Sequence, residues 1–246
     1  MDKDPDQNLS EIEERLRFFK DIGADFVFKT KRPPARPTPV RPDPAASPAP
    51  PPGGELPPPS RDIGLVHEEI LRCRKCPLAD GRTQAVPGEG NLRTELMFVG
   101  EGPGHDEDAQ GRPFVGRAGQ LLTRIIAAMT YDRADVFITN IVKCRPPNNR
   151  VPHRDEVEAC APYLIEQIRA IRPRVIVTLG KSATDFFLPD AFGGMTSIRG
   201  QFYGWRGLQV MPTFHPSYLV RNEGNKKIKK MVWDDMRKVM ALLGKK

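Results

Sequence analysis

Residues 96–108 read LMFVGEGPGHDED: four consecutive apolar residues, a glycine-rich turn and then a run of carboxylates. A short, unbroken apolar run suits a strand buried on both faces, because a half-exposed strand would alternate polar and apolar positions. Similar runs stand at 136–138 (VFI), 175–179 (VIVTL) and 208–211 (LQVM). Segments 117–129, 154–171 and 180–188 carry helical patterning, and a last helix is predicted over 226–243. Strands alternating with helices predict an α/β domain whose mainly parallel sheet is covered on both faces. Gly200, Gly204 and Gly207 around Tyr203 and Trp205 predict a hairpin near the last strand.

In such sheets the ligand crevice lies beyond the carboxyl ends of the strands. Three polar loops leave those ends: GEGPGHDED at 100–108, NIVKCRPPNNR at 140–150 and TFHPSYLVR at 213–221. Their convergence predicts a site.

Outside this domain, predicted over 61–246, the pattern changes. Residues 31–60 hold 13 of the 26 prolines and almost nothing large and apolar. They cannot bury enough surface to offset their ordering entropy, so they read as a disordered, solvated linker, a spacer rather than a ligand for a proline-recognising domain. Residues 1–30 hold one amphipathic helix candidate, with a Ser10/Glu13 capping box and Leu9, Ile12, Leu16 and Phe19 at helical spacing. Such a helix is marginal alone in water, so it docks on the main domain or binds a partner.

With 246 residues the chain is long enough for one good-sized α/β domain and an extension. No apolar run approaches the roughly 18 residues of a membrane span. The charged start MDKDPDQNLSEIEERL lacks the apolar core of a secretory signal, which predicts a cytoplasmic, nucleoid-associated protein and no membrane partner. A formal net charge of +7 favours a polyanionic partner without deciding its kind.

The four cysteines are Cys73, Cys76, Cys144 and Cys160. A CxxC clip lets two thiolates reach one centre, and the other two complete a set of four. All-thiolate ligation suits zinc or an iron–sulfur cluster, and the 15 residues between Cys144 and Cys160 do not match a zinc ribbon. With no obvious open coordination position, the site reads as structural.

The loops carry a second chemistry. GEGPG lets backbone amides approach an anion or a carbonyl oxygen, but no lysine–serine/threonine pair follows Gly104, so it is not a P-loop. Glu101, Glu107 and Asp108 set carboxylates beside those amides, Phe114 follows, Asn140 ends a strand, and His215 sits in an HPS turn. Singly each has a bland structural explanation. Together they supply an aromatic plate, a bidentate amide, a carboxylate and a donor, which fits a flipped nucleobase read on its Watson–Crick edge.

At this point the sequence resembles the family 4 uracil-DNA glycosylases, iron–sulfur members of a wider superfamily. The resemblance covers nearly all of 63–243 and rests on CxxC at 73–76, GEGPGHDEDAQGRPFVGRAGQLL at 100–122, TNIVKCRPPNNR at 139–150, Cys160 and TFHPSYLVR at 213–221. It implies a three-layer α/β/α fold and a monofunctional enzyme of base excision repair. That enzyme flips uracil out of single- or double-stranded DNA and hydrolyses its N-glycosidic bond, leaving an abasic site.

By the same resemblance, Cys73, Cys76, Cys144 and Cys160 hold a structural 4Fe-4S cluster. Phe114 stacks on uracil, Asn140 reads its polar edge, Glu107 lines the pocket near C5, and amides near Gly102 contact its oxygens. His215 donates to the departing base. The superfamily's usual catalytic aspartate is replaced by Gly102, so Glu101 is the expected water-positioning carboxylate, with Glu107 second. Ser217, Tyr218, Leu219 and Arg221 are expected against DNA, with Leu219 or Tyr218 filling the vacated stack. Lys226, Lys227, Lys229 and Lys230 are expected to hold phosphates.

His105 stands where members often carry an acid. The KRRIH-containing insertion of a sister group trapped covalently on its product is missing between NNR and VPHRDEVEAC, which predicts an ordinary turnover enzyme. Another repair or replication protein is the expected partner of the N-terminal helix. Two other classes compete: a catalytically silent DNA-binding or polymerase-associated protein keeping the fold and cluster, and a nucleotide-binding redox enzyme. The combination of Glu101, Phe114, Asn140 and His215 speaks against the first, and the lack of a dinucleotide fingerprint against the second.

Overall fold

The computed structural model describes residues 56–191 and 193–245. The N-terminal helix candidate and most of the proline-rich stretch lie outside them. Six strands form one sheet: β1 (Glu89–Gly90), β2 (Leu96–Gly100), β3 (Phe137–Asn140), β4 (Val175–Leu179), β5 (Tyr203–Trp205) and β6 (Leu208–Thr213). Their order is β1-β3-β2-β4-β6-β5. The four central strands run parallel, and the short edge strands β1 and β5 pair antiparallel.

The helices are α1 (Ile63–Arg72), α2 (Leu78–Gly81), α3 (His105–Gln110), α4 (Arg117–Ala128), α5 (Arg154–Ile171), α6 (Lys181–Phe187), α7 (Met195–Ile198), α8 (Pro216–Arg221) and α9 (Lys226–Leu242). All five residues of β2 are buried, and its side chains divide between two layers. Leu96 and Phe98 pack with Leu122 and Ile126 of α4 and Val239 of α9. Met97 and Val99 pack with Leu164 and Ile168 of α5 and Ala183 of α6. The chain is therefore the expected α/β/α sandwich, and the unbroken LMFV run reflects apolar cover on both sides. Among the described residues, no helix is long and apolar enough to cross a membrane.

Two local expectations are corrected. The HPSYLVR segment is not a loop: His215 N-caps α8, its Nδ1 accepting from Ser217 N–H, and Pro216 takes the first helical position, where a missing N–H costs nothing. At the end of the proline-rich stretch Pro57, Pro58, Pro59 and Ser60 are exposed, but Leu56 is anchored. Leu56 is buried in the layer containing α5, its carbonyl accepts from Arg172 Nη2 at 3.2 Å, and Ser60 N–H donates to Glu166 Oε2 at 3.1 Å. Arg172 caps the end of α5 just before β4 begins, so Leu56 lies at the amino-terminal edge of the sheet.

Candidate active site

Gly100 and Asn140 are register partners at the carboxyl ends of β2 and β3. Pairing continues past the strands, with Ile141 N–H donating to Gly100 O at 2.9 Å and Val142 N–H to Glu101 O at 3.2 Å. The two loops therefore leave the sheet side by side. A cleft of about 650 Å³ opens there, lined by Glu101, Gly102, Glu107, Phe114, Asn140 and His215, with Ser217 and Arg221 at its wall. The residues expected to hold and cleave a base share one concavity.

Phe114 is buried although its backbone is left-handed, with φ 51°. Three hydrogen bonds and one gap fix that conformation. Arg133 donates to Pro113 O, Glu107 Oε1 accepts from Val115 N–H and Gly116 N–H at 2.9 Å each, and Gly119 leaves room below. A Cβ at Gly119 would stand 1.9 Å from the Phe114 carbonyl. Backbone strain of this kind persists only where its surroundings over-determine it. Gly100 has a matching role, since a Cβ there would lie 2.4 Å from Asn140 Oδ1 and 2.5 Å from the tip of Phe114. Amide and ring thus meet over a bare backbone.

Asn140 is 1 % exposed, yet its Oδ1 has no hydrogen-bond partner among the described residues. Buried carbonyl oxygens are seldom left so, because desolvation without a donor costs about 1–3 kcal/mol. Asn140 lines the cleft, so this oxygen is a candidate acceptor for the N–H of a bound base.

His215 lies 5.8 Å from Phe114, centroid to centroid. Its Nδ1 accepts from Ser217 N–H at 3.1 Å and meets Ser217 Oγ at 2.7 Å. An Nδ1 that accepts a backbone N–H carries no proton, so in the neutral ring the proton sits on Nε2. Burial, with a smaller push from Arg221, lowers its pKa from 6.5 to about 4. The unfolded chain binds this proton between those values and the folded chain does not. The associated stability is therefore complete above about pH 6.5 and lost as pH falls through about 4. The expected ¹⁵N NMR result is an Nε2–H tautomer that persists from pH 8 to about pH 5; a ring titrating near 6.5 would contradict this geometry.

Glu101 lines the cleft and accepts a short bond from Ser182 Oγ, in the first turn of α6. Ser182 was not singled out from sequence, since a serine after VIVTLGK looks like an ordinary helix start. Glu107 lines the cleft as expected, but its carboxylate is engaged by three backbone amides, the third being Gly104 N–H at 3.1 Å. It shapes the loop and is a poor candidate for a base. Asp108 faces away, accepting from Thr83 N–H at 2.9 Å.

Leu219 requires correction as a DNA wedge. It is 3 % exposed and packs in the core with α4 and α9, because α8 turns that position inward. Tyr218, on the outer side of the same helix, is 37 % exposed. Of the four lysines expected to hold phosphates, Lys226, Lys227 and Lys230 are exposed and Lys229 is half-buried; none lines the cleft. Arg150, at the rim, is forked onto Glu156 at 2.8 and 2.6 Å, which steadies the 146–153 loop. Arg150 also holds the Glu156 carboxyl below its ordinary range.

The four cysteines line a second, small enclosed cavity between α1, α2 and α5, beside Ile70, Ala79 and Tyr163. Among the described residues, no three Cys, His, Asp or Glu side chains are grouped to hold a metal ion. Four thiols line that one cavity, a donor set that suits zinc or an iron–sulfur cluster alike. Donors already face the sulfurs: Arg82 Nη1 lies 3.0 Å from Cys144 Sγ, and Lys75 N–H lies 3.5 Å from Cys73 Sγ. Burial is the main cause that pushes the Cys160 thiol up to about 11, against a smaller opposing effect of Lys143.

Between the two cavities sits Lys143, 1 % exposed. Its Nζ donates to Thr139 Oγ1 at 2.6 Å, Asn140 O at 2.7 Å and Gln167 Oε1 at 2.8 Å.

Comparison with known proteins shows the family. The family model of the uracil DNA glycosylase superfamily matches residues 87–237. The chain is 48% identical over 182 residues to a type-4 uracil-DNA glycosylase of Thermotoga maritima, covering 74% of this chain and 94% of that protein. It is 47% identical over 193 residues to the type-4 enzyme of Saccharolobus solfataricus, covering 75% and 88% of the two chains. With that of Sulfurisphaera tokodaii it shares 46% over 185 residues, covering 72% and 83%. The chain belongs to the uracil-DNA glycosylase superfamily, on its type-4 branch.

Proposed function

We propose that this protein removes uracil from DNA by hydrolysing the N-glycosidic bond, leaving an abasic site. The observation carrying this reading is the unpartnered Asn140 Oδ1, buried beside the Phe114 ring. Uracil presents a carbonyl acceptor at O4 and a donor at N3–H. Asn140 answers with its NH₂ and its vacant oxygen. Cytosine reverses both positions, leaving the amide mismatched twice. Sites built on such buried pairs discriminate by up to about 10⁴–10⁵-fold.

When the C1′–N1 bond breaks, its electron pair leaves with the base and the sugar becomes cationic. His215 Nε2–H donates to the uracil oxygen gathering negative charge. As a neutral donor it does not surrender its proton to a base that departs as an anion. Glu101, oriented by Ser182 Oγ–H, offsets the cationic sugar and positions the water whose oxygen bonds C1′. Tyr218 fills the vacated stack, and Arg117, Lys181 and Arg221 at the cleft mouth meet phosphates.

Cys73, Cys76, Cys144 and Cys160 hold a 4Fe-4S cluster that serves structure, crosslinking α1, the CxxC clip, the loop after β3 and α5. The assembled Glu101, Phe114, Asn140 and His215 disfavour a catalytically silent DNA-binding role.

The direct test is incubation with uracil-containing single- and double-stranded oligonucleotides followed by hot alkali. Scission at uracil and not at cytosine or thymine is expected, from a brown protein absorbing near about 400 nm. Intact strands would refute the reading. In single-turnover assays Glu101→Gln is expected to be slower by about 10²-fold or more, within the range of positioned acid–base groups. A wild-type rate would remove Glu101 from its role.

A further inference from the structure

We propose that Lys143 is a positioning residue that ties the cysteine lobe to the base-reading amide of Asn140. The inference rests on the glycosylase reading and adds to it a connection between the two cavities.

Lys143 stands with no solvent around its amine, and each of its three partners must accept from it. Asn140 O has no proton to give. Gln167 Oε1 is a carbonyl whose amide partner, Nε2, already donates to Pro87 O at 2.7 Å. Thr139 Oγ1 can donate to Pro87 O at 3.0 Å or to Gln167 Oε1 at 3.3 Å, and either choice leaves its lone pairs for the lysine. The amine is thus held from three sides, by β3 at Thr139 and Asn140 and by α5 at Gln167.

The lysine is also part of the cysteine lobe. Lys143 lines the cysteine cavity, its main-chain N–H donates to Cys160, and it immediately precedes Cys144. Its main chain belongs to the lobe while its side chain reaches back to the end of β3.

The contact matters because of what Asn140 lacks. With Oδ1 unpartnered, the amide cannot rely on that oxygen for its orientation. It depends on a backbone held rigid, and Lys143 Nζ clamps the carbonyl of that residue. Releasing the clamp would let the amide drift against the ring it reads, and misplacement by about 1 Å can cost on the order of 10²-fold in rate.

The test is Lys143→Met, which keeps the length of the stem and removes the three donors. Single-turnover excision at saturating enzyme, DNA affinity, absorbance near about 400 nm and iron content would be measured together. The expected variant keeps its iron and binds uracil-DNA within about twofold of wild type, but excises roughly 10- to 100-fold more slowly. Combined with Asn140→Ala it should add nothing, because both changes disable one amide. A wild-type rate, or a loss multiplying in full with that of Asn140→Ala, overturns the proposal. Should Lys143→Met not retain iron, Gln167→Leu removes one acceptor outside the cysteine set. That variant is expected to show a smaller loss of the same kind, and a wild-type rate would again overturn the clamp. An inert wild-type protein would instead bring down the glycosylase reading with the inference built on it.

Discussion

Asn140→Ala is expected to slow uracil excision by about 10³-fold while leaving thermal stability nearly unchanged. The rate loss has two sources: the donor to O4 and the acceptor for N3–H disappear together, and single preorganised contacts at reacting groups are worth about 10²–10³-fold. Stability should hardly respond, because the folded protein draws no hydrogen bond from Oδ1. Removing a buried polar atom without a partner relieves a cost as it opens a small space. Single-turnover kinetics and a melting curve decide the matter. A variant that melts far below wild type would mean that Asn140 is structural.

The second large effect belongs to the cysteine lobe. Cys144→Ser is expected to bleach the protein and to destabilise it by on the order of 5 kcal/mol, or about 10–20 °C in Tm for a domain of this size. The apolar core there is small: Val66, Ile70, Leu78, Ala85, Val142 and Tyr163 around the thiols. That is too little to hold α1 and the segment through residue 86 unaided. Loss should therefore be local first, with amides of 61–86 exchanging rapidly while the sheet remains protected. A colourless variant with protected amides in that span and an unchanged melting curve would refute a structural role for the metal.

The sheet was legible because its strands are apolar without interruption, and its helices because their patterning is long. Helix α5 was read at its true limits, 154–171. Helix α3 was not read: HDEDAQ has no apolar stripe, and the helix forms because Glu107 closes a capping box onto Gly104 N–H. Strand β1, two residues long, gives no pattern to detect.

Within the site, Glu101, Phe114, Asn140 and His215 were found as a set because their segments follow β2, β3 and β6 at the same carboxyl edge of the sheet and match the family's motifs. Leu219 was misplaced because a six-residue helix was taken for a loop, and the inward or outward sense of its residues follows from that choice alone. Lys143 and Ser182 escaped notice for a common reason. Lysine and serine beside a loop are ordinarily solvated, and only coordinates reveal what they touch.

The docking of Leu56 sets one end of the described chain against the floor of the sandwich. The cleft opens past the carboxyl ends of the strands, whereas the extension joins the body at the opposite rim, where Arg172 grips it. Leu56 is thereby pinned away from the mouth, so a substitution that frees it should loosen the floor of the sandwich and leave the geometry of the cleft untouched.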